Sequence, residues 1–345
     1  MGGTSPFPSP RVSVVIPTRN RARFLERTLA CLAPQSLPKR SYEVIVVNDG
    51  STDDTRDVVK SFAREGNFRV LNIAVSNAGK ARNMGAAQAR GKVILFMDDE
   101  CLVEPSFLKQ HWQAHQDAGR PAVARGPTSP VLSFWGASSF QNLRASGKAP
   151  RAKTGGWLLS VDELKGGAFK PLFTVAGRKH FYREAIDAFG TDLKDCVAPW
   201  PLFLTRNVSL PKTLWNQAGG FDESLPRVGL EDMEMGFRLH RLGAPFLLAP
   251  QAACYWQVCS VDKRRKARAL AHHYRLICRK HRDIGVFLVW RLLTGRMSFR
   301  AFNRAVVWFR RLERRDLSAA RRRLGVAERL AARYGQDPEF LLKNL

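Results

Sequence analysis

The sequence predicts an α/β fold: a Rossmann-like, mostly parallel central sheet flanked by helices, with a basic helical extension at the C-terminus. Three observations carry that expectation. Short apolar runs alternate with helix-patterned segments about four times between residues 12 and 117, which calls for parallel strands joined by right-handed crossovers. Each apolar run ends in a polar loop, so the loops share one rim of the sheet. The last run, Lys92–Met97, passes with no spacer into Asp98, Asp99 and Glu100.

Taken in order, Val12–Ile16 reads as a buried strand stopped by Pro17, and Thr18-Arg19-Asn20 as its loop. Arg21–Ala33 has Phe24, Leu25, Leu29 and Leu32 on one helical face, and Pro34 ends it. Tyr42–Val47 is a second strand. The turn Asn48–Asp54 follows, where Ser51, Thr52 or Asp53 can cap a helix running to about Glu65. Phe68–Val75 is a third strand, and Asn77 opens a helix ending near Gly91. After the fourth strand comes a helix over Pro105–Asp117, with proline near its start as helices tolerate. Residues 128–200 lack a clear period apart from helical character at Phe181–Phe189, and such insertions commonly shape a substrate site. Order returns at Leu202–Leu210. Gly229–Gly243 then has a helical face, with Glu231 and Asp232 in its first turn.

Three adjacent carboxylates repel one another unless a cation shares them, and hard oxygen ligands favour Mg2+ or Mn2+ bridging to phosphate. An exposed acidic turn is the other reading. Neither G-x-x-x-x-G-K-[ST] nor G-x-G-x-x-G occurs, which removes support for a P-loop NTPase or a dinucleotide enzyme.

The net charge of +26 over 345 residues asks for a polyanionic partner or an anionic membrane. It is uneven: residues 262–345 hold 23 Lys/Arg against 7 Asp/Glu. With Trp and Phe interleaved, this tail reads as a dock for an anionic membrane. A helical partner-binding module is a second reading; nucleic acid is disfavoured because no recognised nucleic-acid motif accompanies the charge. The six cysteines form no CxxC pair, which fits a reducing cytoplasm. The N-terminus lacks signal-peptide character, and no stretch reaches the roughly 20 apolar residues that span a bilayer. The expected location is cytoplasmic, peripheral on the inner face of the membrane. The expected divisions are a flexible lead-in (1–10), a donor half (11–127), an acceptor half (128–260) and the basic tail (261–345).

Four blocks in order, Val12–Asn20, Glu43–Asp53, Asn77–Asp99 and Ala218–Glu223 with Gly229–Asp232, resemble a family 2 glycosyltransferase of the GT-A fold. The resemblance covers roughly residues 11–250, except 128–200. It implies a nucleotide-sugar donor, UDP-linked by family frequency, and a glycan or lipid-linked acceptor. It implies that Pro17, Thr18, Arg19, Asn77, Lys80 and Arg82 line the donor and that Asp49 meets the base. Asp98 would bind ribose or metal, and Asp99 or Glu100 would hold the divalent metal on the diphosphate. Asp232 would be the general base of an inverting reaction, with Glu231 positioning the acceptor. Two departures stand out: glutamate at position 100, where members often carry aspartate, and no histidine in Ala253–Cys259. They keep open a non-catalytic, sugar-nucleotide- or glycan-binding scaffold. No Q-x-x-R-W signature is evident, which favours single additions.

Overall fold

The computed structural model describes residues 9–64, 66–131, 160–167, 181–225, 229–258 and 263–334. Most of the irregular insertion, nearly all of the lead-in and the last eleven residues, on which parts of the domain division fall, therefore lie outside the described residues.

Strands β1 (Val12–Thr18), β2 (Tyr42–Asp49), β3 (Phe68–Ile73) and β4 (Val93–Met97) are joined through helices α1 (Ala22–Leu32), α2 (Thr55–Ala63) and α3 (Ala78–Ala87). After β4 come β5 (Cys101–Val103), α4 (Phe107–Asp117), β6 (Val123–Arg125) and β7 (Thr128–Val131). Helices α5 (Val161–Lys165) and α6 (Phe181–Phe189) precede β8 (Asn207–Pro211), α7 (Lys212–Ala218) and α8 (Glu231–Arg241). The remaining elements are β9 (Phe246–Leu248), β10 (Cys254–Gln257) and four helices: α9 (Lys263–His281), α10 (Ile284–Leu293), α11 (Phe299–Arg315) and α12 (Leu317–Tyr334).

The main sheet has the order β3-β2-β1-β4-β8-β6-β9, with β8 antiparallel to both neighbours and the other pairings parallel. Its central strands are buried on both faces. Val15, Ile45, Val47, Ile94 and Phe96 point into one core, while Val14, Ile16, Val44, Val46, Leu95 and Met97 point into the other. That two-sided burial is why these strands read as continuous apolar runs rather than alternating ones. The chain order reverses at β1, between β2 and β4, and ligand crevices of open α/β sheets form at such a point, beyond the strand ends. A second small sheet, β5-β10-β7, stands beside the β4 exit.

Strand β8 is shorter than the ordered stretch from Leu202 suggested. Trp200–Leu202 forms a 3-10 turn, and Arg206 stays outside the strand. Two neutral histidines of α4 brace β8. His111 lies 2.8 Å from Ser209 Oγ and 2.7 Å from Asn207 Oδ1, and His115 lies 2.8 Å from the same hydroxyl. Burial lowers their pKa values to about 3 and about 4.

The C-terminal helices are built into the body of the molecule. Phe287, Trp290, Phe299 and Phe302 share the core that contains Trp200 and Phe237, with Trp200 edge-on to Phe237 and Phe302. The aromatic residues that the sequence reading turned toward a membrane are thus mostly interior. Trp308, 49% exposed, is the exception among the described ones.

Candidate active site

The β4 exit is organised by ion pairs between acids and arginines. The turn that follows β4 separates the three acids: Asp98 and Glu100 face one guanidinium, and Asp99 points back to β1 and α1. Asp99 accepts a 2.7 Å hydrogen bond from Thr18 Oγ1 and lies 3.4 Å from Arg21 Nε, while its carbonyl accepts from Thr28 Oγ1 at 2.9 Å. Burial pushes the Asp99 carboxyl up to about 7 against the lowering pull of Arg21 and Thr18. Glu100 pairs with Arg21 on one side and, at 3.2 Å, with Arg206 on the other.

Arg206 arrives here through the sheet register. Met97 pairs with Asn207 in the antiparallel β4–β8 ladder, so the residue before Asn207 comes to lie beside Asp98. Its Nε is 3.5 Å from Asp98 Oδ2, and its guanidinium lies 4.7 Å from the centre of the Trp256 ring. Trp256 on β10 pairs with Cys101, the residue immediately after Glu100.

Arg82 joins the two acidic blocks that stand some 130 residues apart in sequence. From α3 it reaches Asp98 Oδ1 at 3.1 Å and Glu231 Oε1 at 3.0 Å. Burial opposes its charge, yet Asp98, Glu231 and Asp232 together raise its pKa. The other Glu231 oxygen accepts from the Gly229 N–H at 2.6 Å. The turn ahead of α8 is unusual: Gly229 has φ +144°, and Leu230 adopts a left-handed φ of 64°, rare for a branched side chain. His273 of α9 contacts the Gly229 carbonyl through Nδ1, clamping that turn from outside. Asp232 sits in the first turn of α8, half-buried, its Oδ1 accepting from the adjacent Met233 N–H at 2.8 Å. Burial and the neighbouring Glu231 carboxylate push it up to about 7.

A separate group lies around the β2 exit. Asp49 accepts from the backbone N–H groups of Val75 (2.7 Å), Ser76 (2.9 Å) and Asn77 (3.2 Å). Arg19 donates to Ser76 Oγ, Pro17 is half-buried within β1, and Asn77 caps α3 through the Lys80 N–H at 3.0 Å. Lys80 points toward Glu223, 3.9 Å away. The structure thus brings Thr18, Arg82, Asp98, Asp99, Glu100 and Glu231 into one continuous network. Asp232 borders it, and Asp49, Arg19 and Asn77 form an adjoining loop cluster.

Sequence reasoning missed Arg21, Thr28, Arg206 and Trp256. No local signal marks them; Arg206 becomes visible only through the β4–β8 register. The buried Arg125 was also missed. It is held by Thr128 Oγ1 at 3.2 Å and the Asn207 carbonyl at 3.3 Å, lies 5.3 Å from the Tyr182 ring centre, and is lowered by burial to about 10.

The carboxylates have the hard-oxygen chemistry of Mg2+ or Mn2+ ligands. Their arrangement, however, is that of acids already neutralised: Asp98, Asp99 and Glu100 each face at least one guanidinium. Among the described residues, no three His, Cys, Asp or Glu side chains converge to hold a metal ion. The residues as placed do not fit a metal held by the protein alone.

The architecture is that of the GT-A fold: a mostly parallel sheet with an acidic loop at its switch point and a helix-borne acidic pair facing it. Structures sharing the fold include Staphylococcus aureus TarS residues 1–349 in complex with UDP, at TM-score 0.53 and 20% identity, covering 81% of this chain and 65% of that one. The Pyrobaculum calidifontis mannosyltransferase PcManGT, in complex with GDP-Man and Mn2+, aligns at TM-score 0.52 and 17% identity over 97% of this chain and 76% of its own. Residues 13–159 match the model described as "Glycosyl transferase family 2". It is 34% identical over 257 residues to a validoxylamine A glucosyltransferase of Streptomyces hygroscopicus subsp. jinggangensis, a match spanning 70% of this chain. The chain spans about half (54%) of that relative's length.

Proposed function

We propose that the protein is an inverting glycosyltransferase that moves a sugar from a nucleotide-sugar donor, UDP-linked by family frequency, to a hydroxyl of a glycan or lipid-linked acceptor. The observation that carries this reading is Arg82, which ties the Asp98 loop to the Glu231-Asp232 helix start and holds the two acidic blocks face to face. The donor diphosphate lies against the β4 exit, and the acceptor hydroxyl approaches Asp232. Asp232 takes the hydroxyl proton as the oxygen attacks the anomeric carbon; the carbon–oxygen bond to the diphosphate breaks, and the nucleoside diphosphate leaves with the bonding electrons. A base is most effective with a pKa near the working pH, which suits a carboxylate raised to about 7. Glu231, held by Arg82 and Gly229, positions the helix start.

In this reading Thr18, Arg19, Asp49, Asn77 and Arg82 serve the donor side, with Pro17 and Lys80 at its margin. A divalent cation on Asp98, Asp99 and Glu100 enters only by competing with the arginines that already hold them. Turnover of a panel of UDP- and GDP-sugars is the test. Asp232→Asn is expected to lower kcat by about 100-fold or more, the usual worth of a general base, with donor affinity unchanged. Wild-type turnover in a folded Asp232→Asn would contradict the assignment.

The partner surface is a second element of the proposal. Among the described residues no helix is long and apolar enough to cross a membrane. Arg300, Arg304 and Arg311 of α11 line a cleft of about 570 Å³ with Phe189, Asp195 and Trp308, and Arg323 of α12 lies 4.9 Å from the Trp308 ring centre. Cationic groups around an exposed indole suit an anionic lipid surface. The expected outcome is sedimentation with phosphatidylglycerol vesicles, but not with phosphatidylcholine ones, that high salt and an Arg300/Arg304/Arg311→Glu triple variant both abolish. Equal sedimentation with neutral vesicles would remove the surface.

A further inference from the structure

We propose that Arg206 is a resident cation of the donor site, binding the diphosphate where a divalent metal ion would otherwise be needed. The inference rests on the donor reading above and names how that site receives its charge.

Four observations carry it. First, the guanidinium spans the two carboxylates that face each other across the β4 exit, 3.5 Å from Asp98 and 3.2 Å from Glu100, the span a bridging cation would occupy. Second, its place is built. The β4–β8 register delivers it beside Asp98, His111 fixes Asn207 next to it, and Trp256 lies 4.7 Å from it on the side of β10. Third, the fork is not fully occupied: Nη1 has no protein partner among the described residues, and the side chain is 32% exposed. A guanidinium with a spare N–H group can donate to a phosphate oxygen while its other edges stay on the carboxylates. Fourth, the acidic triplet is already met by cations. Arg21, Arg82 and Arg206 face Asp98, Asp99 and Glu100, with Arg82 shared with Glu231, so the repulsion a dianionic diphosphate meets there is largely offset. A divalent ion placed at Asp98 and Glu100 would have to displace Arg206 from both.

Isothermal titration of UDP and of GDP into the full chain, in EDTA and in Mn2+, tests this. The better-binding nucleotide is expected to have Kd values within about threefold of each other in the two conditions. Arg206→Ala is expected to weaken binding in EDTA by at least about tenfold, as loss of a charge-assisted contact does, and added Mn2+ is expected to recover binding. If that variant does not fold, as judged by its thermal melt, Arg206→Lys keeps the charge but loses the two-pronged span, and about tenfold weaker binding in EDTA is expected. The inference is overturned if the wild type needs Mn2+ for tight binding, or if the folded Arg206 variants bind in EDTA as the wild type does; the donor reading survives both results. Binding of neither nucleotide in either condition overturns the inference and the donor reading together.

Discussion

Asp232 is asked to be both a working base and a tolerated part of the interior, and these demands pull against each other. In an unfolded chain an aspartate titrates near about 4. In the fold Asp232 is pushed up to about 7 by burial and by Glu231. Between those values the folded state keeps a proton that the unfolded state releases. Stability is therefore fully present below the unfolded value and is lost as pH rises through the window from about 4 to about 7. Asp232→Asn removes that charge. At pH 8 the variant is expected to melt above the wild type by on the order of 1 kcal/mol of stability, discounted for partial exposure. The difference should close as the pH falls to about 4. An inactive variant that is also less stable at pH 8 would show that the carboxylate is held by contacts rather than strained by burial.

At the scale of elements, α8 matters because its first turn carries the acidic pair. Two contacts aim it. Gly236 leaves no room for a side chain, since a Cβ there would come within 2.5 Å of Phe203 Cβ and 2.6 Å of the Trp200 carbonyl. Glu234 is fully buried and gathers Arg238 at 2.9 Å, Lys280 at 2.7 Å and His281 at 2.9 Å, which draws its carboxyl down to about 2 despite burial. This carboxylate fastens α8 to α9, and α9 in turn supplies His273 to the turn ahead of Asp232. Glu234→Gln leaves Arg238, Lys280 and His281 short of a buried anion, and with Lys280 42% exposed and still paired to Asp222 it is expected to cost on the order of 2 kcal/mol in urea unfolding at pH 7. It should also lower turnover, because α8 loses its anchor. A loss below about 0.5 kcal/mol would mark the cluster as a solvated surface pairing of the ordinary kind.

Across the whole molecule, the parallel half of the sheet was legible in the sequence because β1, β2 and β4 are apolar on both faces and end in polar loops. The acidic triplet and the Glu231-Asp232 pair were legible for the same reason: each follows a recognisable element boundary. What was not legible depends on pairing across long sequence separations. Arg206 reaches Asp98 only through an antiparallel strand 110 residues later, and Asp49 turns out to hold three backbone N–H groups of the loop after β3. The C-terminal helices misled in another way. Their apolar faces look alike whether they meet lipid or protein, and the partner that buries Trp290 and Phe302 lies in the body of the fold, beyond any local pattern.

A single displacement needs a donor held at the β4 exit and an acceptor activated from the opposite side by Asp232, and it inverts the anomeric carbon. Proton NMR of the first sugar released or transferred from an α-linked nucleotide sugar tests it most directly. β-configured product is expected first; a released sugar then forms the α anomer by mutarotation, while a transferred sugar, locked in its glycosidic bond, stays β. Product that first appears in the α configuration would contradict it.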